Sequence, residues 1–169
     1  PKVLLEEKIT PFLRSAGTCL SPFNAWIFLK GLETLHIRME KHSANATIVA
    51  EWLHKNPLVK KTYYPGLEVH PQRNLCLSQQ SAPGGIVSFE LEGRREAWHI
   101  VDSLNLFSIT ANLGDSKSIV THPATTTHGR ISPEKRQSMG VSEGMLRLSL
   151  GLEDSNDLIR DLDMAFQNL

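Results

Sequence analysis

The sequence predicts an α/β fold in the broad sense: a small, mostly antiparallel or mixed four-stranded sheet covered by helices. Three observations carry that expectation. A long stretch from Thr34 repeats apolar residues at helical spacing. Stretches 86–91 and 146–150 alternate apolar and polar residues. Long helices and short strands are mixed along the chain. With 169 residues and 40% hydrophobic content, the chain is the size of one domain and buries a core without staples.

Residues 1–20 show weak apolar patterning broken by Pro11 and Gly17, so they read as an extended lead-in with at most a helical turn at 3–8. Ser21 followed by Pro22 has the form of an N-cap and first helical position. Phe23, Trp26, Ile27 and Leu29 give that helix its apolar side, with a bend expected near Gly31. Leu35, Met39, His42, Ala46, Val49 and Leu53 recur at steps of four and three, one face of a long helix that Asn56-Pro57 ends. Residues 59–64 are a strand candidate closed by Pro65-Gly66. Residues 66–83 read as loop with one helical turn at most.

Gly84-Gly85 opens the strand 86–91. Residues 94–104 read as a helix with Ala97, Ile100, Val101 and Leu104 inward, and 107–111 as a short strand. Ser132-Pro133 repeats the cap signature, with Gly140 as the stop. In 146–150 the leucines face one way and Arg147 and Ser149 the other. Asp154 caps a last helix with Leu158, Leu162, Ala165 and Phe166 on one side.

Eighteen Lys+Arg against eighteen Asp+Glu remove the electrostatic case for nucleic acid or an anionic membrane surface. Apolar runs fall far short of the roughly 20 residues of a membrane span. Two cysteines, Cys19 and Cys76, make neither a zinc site nor a disulfide framework, so a reducing, cytoplasmic location is expected. The chain opens at Pro1 without an initiator Met, which fits a processed product or a piece of a longer chain.

Residues 112–131 form a long hydroxyl-rich stretch with few apolar anchors and the histidines His122 and His128. Loops of this length are usually functional or disordered, and a ligand-contacting role stands beside the plain loop reading. A metal site at His122 and His128 lacks a third ligand pattern. Asp115, Ser116 and His122 lack a nucleophile elbow. Gly114 to Ser118 lacks the phosphate-loop spacing. His42 reads as a satisfied core histidine, and Trp26, Trp52 and Trp98 as packing anchors. Arg147 is the sharper candidate. A guanidinium between leucines either faces solvent, pairs with an acid such as Glu143 or Glu153, or clamps a ligand carboxylate. By pattern alone the ion pair or solvated face leads.

Several stretches taken together resemble one family. They are Ser21 to Trp26, Lys30 to Leu35 with Arg38-Met39, Tyr64 to Leu67, and Pro83 to Gly85. Asn112 to Asp115, Ser118 to Ala124 with Thr127-His128, and Leu146 to Asp154 complete the set. In order and spacing they resemble the C-terminal part of the Cys/Met-metabolism enzymes that use pyridoxal phosphate. Ala111 to Asp115 and Ala124 to His128 are most similar to the O-succinylhomoserine and O-acetylhomoserine sulfhydrylases.

The resemblance implies the C-terminal fold of fold-type I pyridoxal phosphate enzymes, with 1–20 as lead-in and 21–169 as a substrate-orienting domain. It implies γ-replacement of the acyl group of a homoserine ester by sulfide, giving homocysteine for methionine biosynthesis. Arg147 would hold the substrate carboxylate, Asn112 and Ser118 would approach the same group, and Thr126 the substrate side chain. The cofactor is pyridoxal phosphate, but the family's lysine motif is absent. The chain is therefore expected to lack an N-terminal cofactor-binding domain, to carry no catalytic, cofactor-binding or metal-binding residue, and to be inactive alone. The intact protein is expected to be a homotetramer, and the isolated part to expose an apolar patch. Related activities stay open: cystathionine synthase or lyase, methionine lyase, or a non-catalytic standalone relative.

Overall fold

The computed structural model describes residues 1–169. It divides into two compact units, Pro1–His36 and Ile37–Leu169, each described by itself. The first is helical from its start. A π-helical segment, Leu4–Ile9, runs into α1 (Thr10–Ala16), which Gly17 ends in the left-handed region at φ 67°. The extended lead-in is thus corrected to helix: Pro11 stands within the first turn of α1, where its missing N–H costs nothing. Helix α2 (Pro22–Glu33) starts as the sequence implies, with Ser21 Oγ accepting from the Asn24 N–H at 3.2 Å. It passes through Gly31 and breaks at Thr34 instead. No side chain of residues 1–36 is buried. Phe12, Phe23, Trp26, Phe28, Leu29 and Leu32 are all exposed.

The second unit is built on α3 (Leu35–Lys55), whose His42, Ala46, Val49 and Leu53 are buried as their spacing implies, while Leu35 and Met39 stay exposed. It also contains β1 (Lys61–Tyr63), α4 (Arg73–Gln79), β2 (Ile86–Glu90), α5 (Arg94–Ser103), β3 (Ser108–Ile109), β4 (Ile119–Thr121), α6 (Pro133–Ser138), β5 (Met145–Ser149) and α7 (Ser155–Gln167). The sheet has five strands, not four, in the order β1-β2-β5-β4-β3. All pairs are antiparallel except β3–β4. The missed strand, β4, lies inside the stretch 112–131. At three residues it is too short to show alternation, and its pairing with β5 defines it.

One sheet face carries the core. Val87, Phe89, Val120, Leu146 and Leu148 pack with Ala97 and Ile100 of α5, Leu158 and Leu162 of α7, and Val49 and Leu53 of α3. The Phe166 ring lies edge-on to Trp52 and tilted against Phe89, joining α7, α3 and β2. Of the three tryptophans only Trp52 packs against this core; Trp26 and Trp98 are exposed. Two buried polar groups lock the layers. Asp161 of α7 accepts from the N–H groups of Asn105 and Leu106. Tyr64 donates toward the carbonyls of Ser43 and Gly84 and meets Thr47 Oγ1. Cys19 and Cys76 are both free.

Candidate functional site

Arg147 stands at the middle of β5, in register with Ser88 of β2 and Thr121 of β4. Strand alternation turns it to the face opposite Leu146 and Leu148. Its Nη2 donates to the carbonyls of Ala111 at 3.0 Å and Asn112 at 3.1 Å, and to Thr121 Oγ1 at 3.4 Å. Its Nε is buried without a partner. The acids considered from the sequence are engaged elsewhere. Glu143 takes Arg136 at 2.6 Å and also Arg94, and Glu153 accepts from Ser118. Arg147 makes no ion pair, so the structural ion-pair reading is set aside. The result is a half-buried cation, oriented by backbone carbonyls and not neutralised. A planar guanidinium with an unmet buried donor suits a ligand that brings carboxylate oxygens.

The loop that follows β3 is built around the same strand. Gly114 takes the left-handed φ of 82°, and its N–H donates to Ser149 Oγ at 2.9 Å. Asp115 Oδ1 accepts from the Lys117 N–H and from Ser116 Oγ, contacts that hold its carboxyl below the usual range. Ser118 is fully buried. Its hydroxyl donates to Glu153 Oε2 and accepts from the Gly151 N–H, each at 2.8 Å. Ser149, expected on a polar face, is buried because this loop covers it.

The four residues singled out from the sequence are therefore placed differently. Asn112 meets Arg147 through its carbonyl. Ser118 faces inward. Thr126 is exposed at the end of a short 3-10 turn, Pro123–Thr125, and donates to the His122 carbonyl at 2.8 Å. It borders a cavity of about 420 Å³ shared with Ala111 and Thr121. The sequence reading assigned no site role to Thr121, which contacts Arg147, or to Ser149, which holds the loop beside it. Ser149 shares Arg147's face by strand alternation alone, while Thr121 required the β4–β5 register.

His122 fixes this turn: Nε2 donates to the Glu143 carbonyl at 2.8 Å, and Nδ1 meets Thr125 Oγ1 and the Trp98 indole N–H. It makes no triad with Asp115 and Ser116, which bond each other. No three of His, Cys, Asp and Glu gather where they could hold a metal ion.

A pyridoxal phosphate site needs an enclosed lysine to bond the cofactor and an acid for its ring nitrogen. Eight of the nine lysines are exposed and Lys41 is half-buried. Lys30 and Lys60 pair with Glu33 and Glu92, and Lys61 lies over the Tyr63 ring. Lys117, nearest in sequence to the site, is exposed in the loop. The residues present do not make such a site.

Fold and site together define an α/β domain that holds an unpaired, carbonyl-oriented arginine on one face of its sheet. The chain belongs to the family of Cys/Met metabolism PLP-dependent enzymes, whose family model matches residues 3–167. It is 52% identical over 157 residues to an O-succinylhomoserine sulfhydrylase of Pseudomonas aeruginosa, covering 92% of this chain and 39% of that one. It is 44% identical over 152 residues to an L-methionine gamma-lyase of Pseudomonas putida, covering 89% and 38%. A crystal structure described as an O-acetylhomoserine (thiol)-lyase of Campylobacter jejuni, carrying a pyridoxyl-lysine phosphate, superposes with a TM-score of 0.89 at 44% identity, over 99% of this chain and 40% of that one. The chain thus spans about two fifths of the length of these relatives.

Proposed function

We propose that this chain is the C-terminal, substrate-orienting domain of a PLP-dependent homoserine-ester sulfhydrylase, with 1–20 as lead-in and 21–169 as the domain. The enzyme replaces the acyl group of O-succinyl- or O-acetylhomoserine by sulfide to give homocysteine, in the cytoplasm and in the service of methionine biosynthesis. The observation that carries the reading is the Arg147 guanidinium, aimed by carbonyls and lacking a counter-charge. Arg147 binds the substrate carboxylate and fixes how the substrate sits. The loop around Asn112 forms the wall beside it. Ser118 holds that loop through Gly151 and Glu153. Thr126, at the rim of the neighbouring cavity, lies toward the substrate side chain.

The lysine, the acid for the pyridine nitrogen and the phosphate ligands come from an N-terminal cofactor-binding domain outside this chain, so the chain is inactive alone. The intact enzyme is a homotetramer in this proposal; the many exposed apolar side chains of residues 1–36 support their burial against further protein, since large exposed apolar surfaces mark contact sites. The methionine-lyase relative keeps a second reading alive, with the same role for Arg147 and a different leaving group.

Turnover by a protein of the relatives' full length that carries this region separates them. The proposal expects homocysteine from a homoserine ester and sulfide, with little release of methanethiol from methionine. Arg147→Lys, which loses the fork, is expected to raise KM for the ester at least tenfold. Methionine cleavage as the dominant activity would select the second reading.

A further inference from the structure

We infer that Thr121 and Ser149 are positioning residues that strap segment 110–114 over the sheet and so aim the Arg147 guanidinium; the inference rests on Arg147 binding the substrate carboxylate. Both hydroxyls are on Arg147's own face. Thr121 is its cross-strand partner on β4, and Ser149 is the next same-face position on β5. Both residues are 2% exposed. Thr121 Oγ1 donates to the Thr110 carbonyl at 2.5 Å, and Ser149 Oγ accepts the Gly114 N–H at 2.9 Å.

These two bonds bracket Ala111 and Asn112, whose carbonyls converge on one nitrogen, Nη2. The segment between the straps has little else to hold it. Residues 110–114 are exposed, and β3 ends at Ile109; besides the Arg147 contacts there are a long Thr110 N–H to Val120 carbonyl contact of 3.4 Å and an Asn112 N–H to Thr110 Oγ1 contact of 3.5 Å. An exposed segment without anchors turns its carbonyls to water. Gly114 supplies the left-handed turn that brings its N–H to Ser149. With Nη2 occupied by carbonyls, the guanidinium is fixed in one rotation, with Nε buried and unpartnered and Nη1 left to meet a ligand. The straps therefore select a ligand pose without touching the ligand.

The test has two readouts. The first is solvent exchange of the Arg147 Nε–H, followed by NMR on the 169-residue chain without ligand or cofactor. The second is KM and kcat for a homoserine ester in the cofactor-loaded protein of the relatives' full length. Thr121→Val and Ser149→Ala cut the strap at opposite ends, so either decides the matter if the other fails to fold. Each is expected to speed exchange and to raise KM about three- to tenfold, the equivalent of one lost hydrogen bond for Ser149→Ala and of up to two for Thr121→Val, which also removes the acceptor of a long Arg147 contact, with kcat within about twofold. Thr121→Ser, which keeps the hydroxyl, is expected to restore both. Native exchange and native KM in both cut variants, while Arg147→Lys raises KM, would overturn the strap and leave the carboxylate reading standing. An Arg147→Lys protein with native KM would overturn that reading instead, and the exchange rates alone would then decide the strap.

Discussion

Gly151 shows how tightly single residues constrain the site. A Cβ there would lie 2.5 Å from both the Ser116 carbonyl oxygen and the Ser118 nitrogen, and would also strike Glu153 Oε2. Its neighbours are pinned from the other side by α3. His42 Nδ1 donates to the Leu150 carbonyl, and Asn45 Nδ2 donates to the carbonyls of Gly151 and Glu153 at 2.9 Å each. The loop and the turn after β5 therefore have no direction in which to yield. Gly151→Ala is expected to cost about 1–3 kcal/mol, the range for overpacking a filled interior. Thermal unfolding measures it. An unchanged midpoint would mean that the loop moves freely, contrary to the bonding through Ser118.

At the scale of elements, the segment carrying α6 is tied to the sheet by charge. Arg136 of α6 is buried, donating to the Ile131 carbonyl and to Glu143, which also pairs with Arg94 of α5. The Arg136 and then the Arg94 guanidinium hold the Glu143 carboxyl below the ordinary glutamate range. A carboxyl depressed in the folded state stabilises the fold above its unfolded pKa, about 4.3, and loses that contribution as pH falls through the lower folded value. The stability gap between native chain and Glu143→Gln is therefore expected to be full at neutral pH and to close below about pH 4, read as melting midpoints against pH. A gap that is constant with pH would remove the charge from the explanation.

The same scale shows what the sequence made legible. The inward faces of α3, α5 and α7 were readable because long helices repeat their pattern, and the caps Ser21, Ser132 and Asp154 sit where their residue types imply. Strand β4 was not readable, since three residues carry no periodicity and only the register with β5 defines it. The first helices were obscured by Pro11, harmless within a first turn. At the site, Arg147 stood out as a charge between leucines. Its holders did not, because two are backbone carbonyls and the third, Thr121, joins it only across strands.

At the scale of the whole molecule, the two units differ in how much apolar surface they bury. The unit Ile37–Leu169 closes around its sheet, while the unit Pro1–His36 buries none of its side chains. Arg147 is oriented by carbonyls and has no counter-charge, and no lysine is enclosed. These features are consistent with the proposed function, in which this part receives a substrate whose chemistry is carried out by groups on another part of the same enzyme. That division of labour is the core of the proposed function. Its most direct test is to mix the 169-residue chain with pyridoxal phosphate, dialyse, and measure retained cofactor and visible absorbance. No cofactor is expected to remain after dialysis. One equivalent retained with a visible band, and lost on replacing a single lysine, would contradict it.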